Sequence, residues 1–157
     1  MRFLSILIAI FVFLTPISVN AACYNAAEAE AEQGIRIHSE LMVIGLNCQH
    51  MTPRGWKNFY QEYREITSRH QSLFNQYEQT LINFYSRNGS NAEKRIHTLR
   101  TDFANKTSTD AAKMRPDVFC ANFAPRIPQV GKMSRSEFQQ WAASTSRTEA
   151  LSQSRCN

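Results

Sequence analysis

Whatever chemistry this chain offers rests on four cysteines, four histidines and a few paired carboxylates. Cys48-Gln49-His50 sets a thiol beside a base, but a catalytic thiolate must be unpaired and held in a positive environment. An even cysteine count reads first as two disulfides. No C-x-x-C, C-x-x-C-H or Cys/His zinc spacing occurs, so neither a metal nor a cofactor is expected. Glu93 and His97 stand four residues apart on one helical face, yet two ligands are too few for a metal site. Glu62 and Glu65 resemble an acid–base pair, but they share their face with Arg69, and a solvated ion-paired surface is the default reading. His38 and His70 both fall on apolar helical faces. Measured from the turn between their helices they differ in height by roughly 10 Å, too far to share one ligand, and each reads as a hydrogen-bonded core histidine. No G-x-S-x-G, H-E-x-x-H, phosphate-loop or dinucleotide pattern is present, so no catalytic residue is assigned.

Export fixes the chemistry of the thiols. Arg2 precedes an apolar run over residues 3–14, and Val19-Asn20-Ala21 ends in small side chains. That is the layout of a secretory signal over residues 1–21, cleaved after Ala21. Asn20 is a poor match to a lipidation site at Cys23, and the run is too short to span a bilayer. No segment of the mature chain reads as transmembrane. A periplasmic or secreted protein is expected, with residues 22–157 forming a single helical domain in which the thiols oxidise.

The 157 residues carry a net charge of +5. The charge is uneven: Glu28, Glu30, Glu32 and Glu40 make the first helix acidic, whereas the chain from Arg87 onward has 12 basic and 6 acidic groups. The basic groups are scattered, as on a solvated surface, and no nucleic-acid-binding motif accompanies them, so nucleic acid is excluded as a partner.

Helix signals position these residues. Thr52 followed by Pro53 reads as a cap and first position, with Met51 and Trp56 as a hydrophobic staple. Ser90 with Glu93 and Ser134 with Glu137 read as capping boxes. Trp56, Phe59, Tyr63, Ile66, His70, Leu73, Tyr77, Thr80 and Phe84 fall at steps of three and four, which predicts one helix of about 33 residues, roughly 50 Å long. Such a helix outreaches its neighbours and leaves Tyr60 and Tyr85 as the aromatic groups closest to the surface. A first helix over residues 25–47 is apolar nearly all round in its second half, as at the centre of a bundle. Gly34 and Gly45 within it call for close approach by a neighbour, since each costs about 1 kcal/mol relative to alanine. A third helix starts near Ala92 and runs toward Ala111, Arg115-Pro116 interrupts it, and a short helix carries Phe119, Cys120 and Phe123. Residues 124–132, with two prolines and a glycine, read as a loop, and a last helix covers 135–153.

The architecture expected is an all-α, elongated up-and-down bundle of four to five helices. A continuous helix separates Cys23 from Cys48 by about 37 Å, far beyond the roughly 7 Å limit for a bridge. Tracing the bundle pairs Cys23 with Cys156 at one end and Cys48 with Cys120 at the other. The function expected is a non-enzymatic interaction or adaptor module of the bacterial envelope. It would bind a protein partner or itself through the uncovered aromatic face, with Tyr60 and Tyr85 as contact residues. An unfamiliar hydrolase acting on envelope polymers, or a carrier of a small hydrophobic ligand, are the alternatives.

Overall fold

The computed structural model describes residues 22–146 and 149–156. The expected signal over residues 1–21 lies outside them. Seven α-helices follow one another among the described residues: α1 (Ala26–Cys48), α2 (Phe59–Arg69), α3 (Gln71–Arg87), α4 (Ala92–Ala112), α5 (Pro116–Phe123), α6 (Arg126–Gly131) and α7 (Arg135–Thr145), with a 3-10 turn at Gln49–Met51. The all-α bundle stapled by Cys23–Cys156 and Cys48–Cys120 is the expected one.

α1 begins where its sequence says it should. Asn25 accepts the backbone N–H of Glu28 through its side chain, and the Glu28 carboxylate accepts the Asn25 N–H in return, each at 2.9 Å. Two of the donors orphaned at a helix start are thereby satisfied. α1 then touches every other helix, and its buried positions occur on all sides from Glu28 to Cys48. Its two glycines admit neighbours that a side chain would exclude. A Cβ at Gly34 would stand 2.2 Å from the Tyr77 ring, and one at Gly45 3.3 Å from the Tyr60 Cα.

The single 33-residue helix does not form. Thr52 does not cap it: its hydroxyl donates to the Gln49 carbonyl at 3.1 Å and accepts the Phe59 N–H at 3.3 Å. The chain turns at Gly55, whose φ of 85° suits glycine, and Asn58 becomes the cap by accepting from Tyr60 and Gln61. The helix then breaks at His70 (φ −99°, ψ 12°). His70 N–H still reaches the Ile66 carbonyl, and Phe74 N–H reaches the His70 carbonyl, both at 3.0 Å, so His70 closes α2 and opens α3. The two halves follow different neighbours: α2 packs on α6, while α3 packs on α4. The His70 ring turns inward at the bend, stacked 5.5 Å from Phe138.

Three other boundaries differ. Asn91, rather than Ser90, caps α4 by accepting the Lys94 N–H at 3.0 Å. Residues 126–131 form α6 instead of loop, because Pro128 occupies its third position, where a missing N–H breaks no helical bond. α7 starts at the expected Ser134–Glu137 capping box but ends at Thr145. Beyond it the chain returns as a strap, with Tyr24 N–H donating to Ser154 O (2.8 Å) and Cys156 N–H to Tyr24 O (2.9 Å).

Gly34→Ala should destabilise the protein by about 1 to 3 kcal/mol, because overpacking against Tyr77 outweighs the gain in helix propensity of about 1 kcal/mol. A denaturant melt showing equal or higher stability would contradict the packing. Replacing both Cys48 and Cys120 by serine should remove about 3 to 5 kcal/mol, as expected for a bridge closing a long loop. Loss of less than about 1 kcal/mol in the same melt would show that this staple contributes little.

Candidate functional site

The bend and the Gly55 turn decide what is left outside. Among the described residues five large apolar side chains are exposed, between 38% and 56%: Leu46, Met51, Trp56, Met114 and Val118. Leu46 lies at the end of α1, Met51 and Trp56 in the α1–α2 connection, Met114 after α4 and Val118 at the start of α5. All five belong to the segments flanking the Cys48–Cys120 bridge.

A groove of about 540 Å³ opens there, with Met51, Pro53, Trp56 and Phe59 on one wall and Ala121, Ala124 and Pro125 on the other. Its loop wall is held by hydrogen bonds. Asn58 donates to the Gln49 carbonyl at 2.8 Å, and Trp56 N–H donates to Pro53 O at 3.0 Å. The Trp56 ring meets Phe59 edge-on at 6.4 Å and is 56% exposed. Asp117 is the one charged residue of the groove's described lining, and in the surrounding segments Lys57 is paired with Glu65, Lys113 with Asp110 and Arg115 with Asp117.

A second concavity, about 590 Å³, lies between α1, α4, α5, α6 and α7. Phe119, Phe123 and Trp141 give it aromatic walls, while Arg36, Glu40, Lys106, Asp110, Arg126 and Glu149 supply charges of both signs. Arg36 lies 4.6 Å over the Phe103 ring and donates to the Ala150 carbonyl. Burial pushes the Glu40 carboxyl above its ordinary value, and Arg126, Arg36 and Lys106 oppose the shift.

The partner candidates Tyr60 and Tyr85 separate. Tyr60 is half-buried, stacked on Tyr63 at 6.0 Å. Tyr85 is a correction: it is 3% exposed, with its hydroxyl 2.8 Å from that of Tyr24, so it offers no outward surface. It belongs to a buried network in which the Tyr24 hydroxyl lies 3.2 Å from Ser152 Oγ, and the Ser152 backbone N–H donates to Glu32 at 2.8 Å. The acidic first half of α1 is likewise internal. Glu28 pairs with Arg87 at 2.5 Å, and Glu30 accepts the Tyr77 hydroxyl at 2.8 Å.

The two histidines flank one ring, Phe74, at centroid distances of 4.4 Å for His38 and 6.4 Å for His70, and each has partners of its own. His38 Nε2 lies 3.1 Å from the Tyr63 hydroxyl and 3.2 Å from Thr67 Oγ1. Burial, with Arg100 nearby, lowers its pKa to about 4. Burial also lowers that of His70. Glu65 is paired with Lys57 at 2.5 Å, and Glu62 sits against Gly131. Among the described residues no group of three or more His, Cys, Asp or Glu is placed to hold a metal ion, and no helix is long and apolar enough to cross a membrane. Cys48 has no free thiol to place beside His50.

The sequence reading missed Met51 and Trp56 as surface groups, because they read as the staple of a helix starting at Pro53, six residues before α2 begins. The Pro53-Arg54-Gly55 turn signal could have exposed the error. The chain matches no protein-family model, no curated protein and no solved structure.

Because folded His38 holds its proton less tightly than the unfolded chain does, stability is complete above about pH 6.5 and falls as the pH drops toward 4. The His38 share of that loss is on the order of 2 to 3 kcal/mol. Melting temperatures of wild type and His38→Gln should therefore converge between pH 6.5 and 4. Parallel curves would remove His38 as the cause.

Proposed function

We propose that the chain is an exported, non-enzymatic interaction module of the bacterial cell envelope that docks a protein partner at the pole of the Cys48–Cys120 bridge. Its leader-like residues 1–21 and its two disulfides support export into an oxidising space. The observation that carries the docking reading is the gathering of all five exposed large apolar side chains of the described residues on the segments around one bridge. Exposed apolar surface concentrated in this way is characteristic of interfaces, and Trp and Met are favoured contact residues there. The groove's volume suits one or two large side chains. Its apolar walls match a partner segment that presents an apolar anchor.

The uncovered length of a long aromatic helix, the first reason for expecting an interface, is replaced by this pole. Tyr60 stays a candidate contact; Tyr85 does not.

A photoreactive residue at position 118, in cells exporting the full chain, should give a discrete adduct that is lost in Trp56→Asp; one at position 94, on exposed α4, should give none. The captured partner's apolar-anchored segment, made as a peptide, should shift Trp56 emission to the blue in a Trp141→Phe background. No adduct at 118, an adduct of twice the chain's own mass, or binding only to anionic lipid vesicles would each overturn the protein-partner reading.

A further inference from the structure

The cleft between α1 and α4–α7 shares no lining residue with the docking groove, and its chemistry is different. Its described lining carries three cations, Arg36, Lys106 and Arg126, and three carboxylates, Glu40, Asp110 and Glu149. Two pairs reach across it at distances beyond a hydrogen bond: Glu40 to Arg126 at 3.7 Å and Arg36 to Glu149 at 3.9 Å. Neither pair is hydrogen-bonded at those distances, whereas Arg36 donates to the Ala150 carbonyl and Lys106 to Asp110 at 3.3 Å. Arg36 is only 12% exposed at its side chain, and its Nε is buried with no hydrogen-bond partner. Around these charges Ile37, Ile44, Phe119, Phe123 and Trp141 provide apolar surface, and the Arg126 guanidinium is steadied 4.9 Å over the Phe123 ring.

A ligand of single charge would meet attraction and repulsion of similar size in such a cleft. One carrying both signs could pair with both sets at once while laying an apolar body on the aromatic wall. The geometry points to a binding site for a small zwitterion with an apolar body, of the size and chemistry of a di- or tripeptide with free termini. In that assignment Glu40 receives the ammonium group and Arg126 the carboxylate. An ammonium beside Glu40 would also offset the burial that holds its carboxyl above the ordinary range. The volume of about 590 Å³ falls within the range of small-molecule pockets.

Trp141 reports on the site in a Trp56→Phe variant, where it is the remaining tryptophan. The probes are the dipeptide Leu-Phe, its N-acetyl form and its C-terminal amide. The zwitterion should change Trp141 emission saturably, and both blocked forms should bind at least about tenfold more weakly. Glu40→Gln should weaken Leu-Phe by about tenfold and abolish discrimination against the N-acetyl form; Arg126→Gln should do the same for the amide. Circular dichroism verifies each fold, and the probe series on the unsubstituted cleft decides the matter if a variant fails to fold. No saturable change up to about 10 mM, a concentration above useful small-ligand affinities, or equal affinity for all three probes, would overturn the assignment. So would unchanged affinity in both folded variants.

Discussion

Both disulfides close on the ends of α1. Cys23 stands just before its cap, Cys48 is its last residue, and the helix's 23 residues touch every other helix. A helix enclosed over most of its length has little solvent into which to turn its polar groups, so the buried ones must find a partner or remain costly. Glu28 has Arg87, Glu30 has Tyr77, and Glu32 has Ser152. His38 has Tyr63 and Thr67. The surrounding elements are arranged around those needs as much as around the apolar core. Gln33, fully buried with neither amide atom hydrogen-bonded, is where the accounting does not close.

That enclosure explains what could be read from the chain and what could not. Some local signals hold, among them Ser134–Glu137, Arg115-Pro116 and the central character of α1, whereas the caps read at Thr52 and Ser90 gave way to Asn58 and Asn91. The cysteine pairing was legible because helix length alone forbids the alternative that joins Cys23 to Cys48. The misreadings came from competition between distant segments. The heptad pattern crosses His70 without interruption, but the choice of α6 as partner for α2, and of α4 for α3, bends the backbone there. Similarly, nothing local tells Glu32 that it will receive Ser152 from the other end of the chain. The pole surface was missed for a related reason: an apolar residue at helical spacing looks internal until the helix start is placed correctly.

α5 connects the two concave regions. Its eight residues turn Phe119 and Phe123 to the charged cleft and Ala121 to the apolar groove, while Cys120 bonds it to α1. A short helix has little intrinsic stability, so its placement depends on that bond and on the buried Phe119 ring. Groove and cleft therefore share a wall whose position is covalently set, and occupation of one is felt by the other only as far as this helix can shift.

The strap over α1 has a consequence for the order of assembly. Cys23 and Cys156 are separated by 133 residues, and the strap's bonds to Tyr24 and Glu32 come from Ser152, Ser154 and Cys156. When such a chain is threaded N-terminus first into an oxidising space, the earliest thiol to emerge waits for the latest. Throughout that interval its nearest available neighbour is Cys48, the wrong one. Once wound, α1 holds those two sulfurs at its opposite ends, about 37 Å apart, so the helix that organises the finished molecule also forbids the wrong bridge.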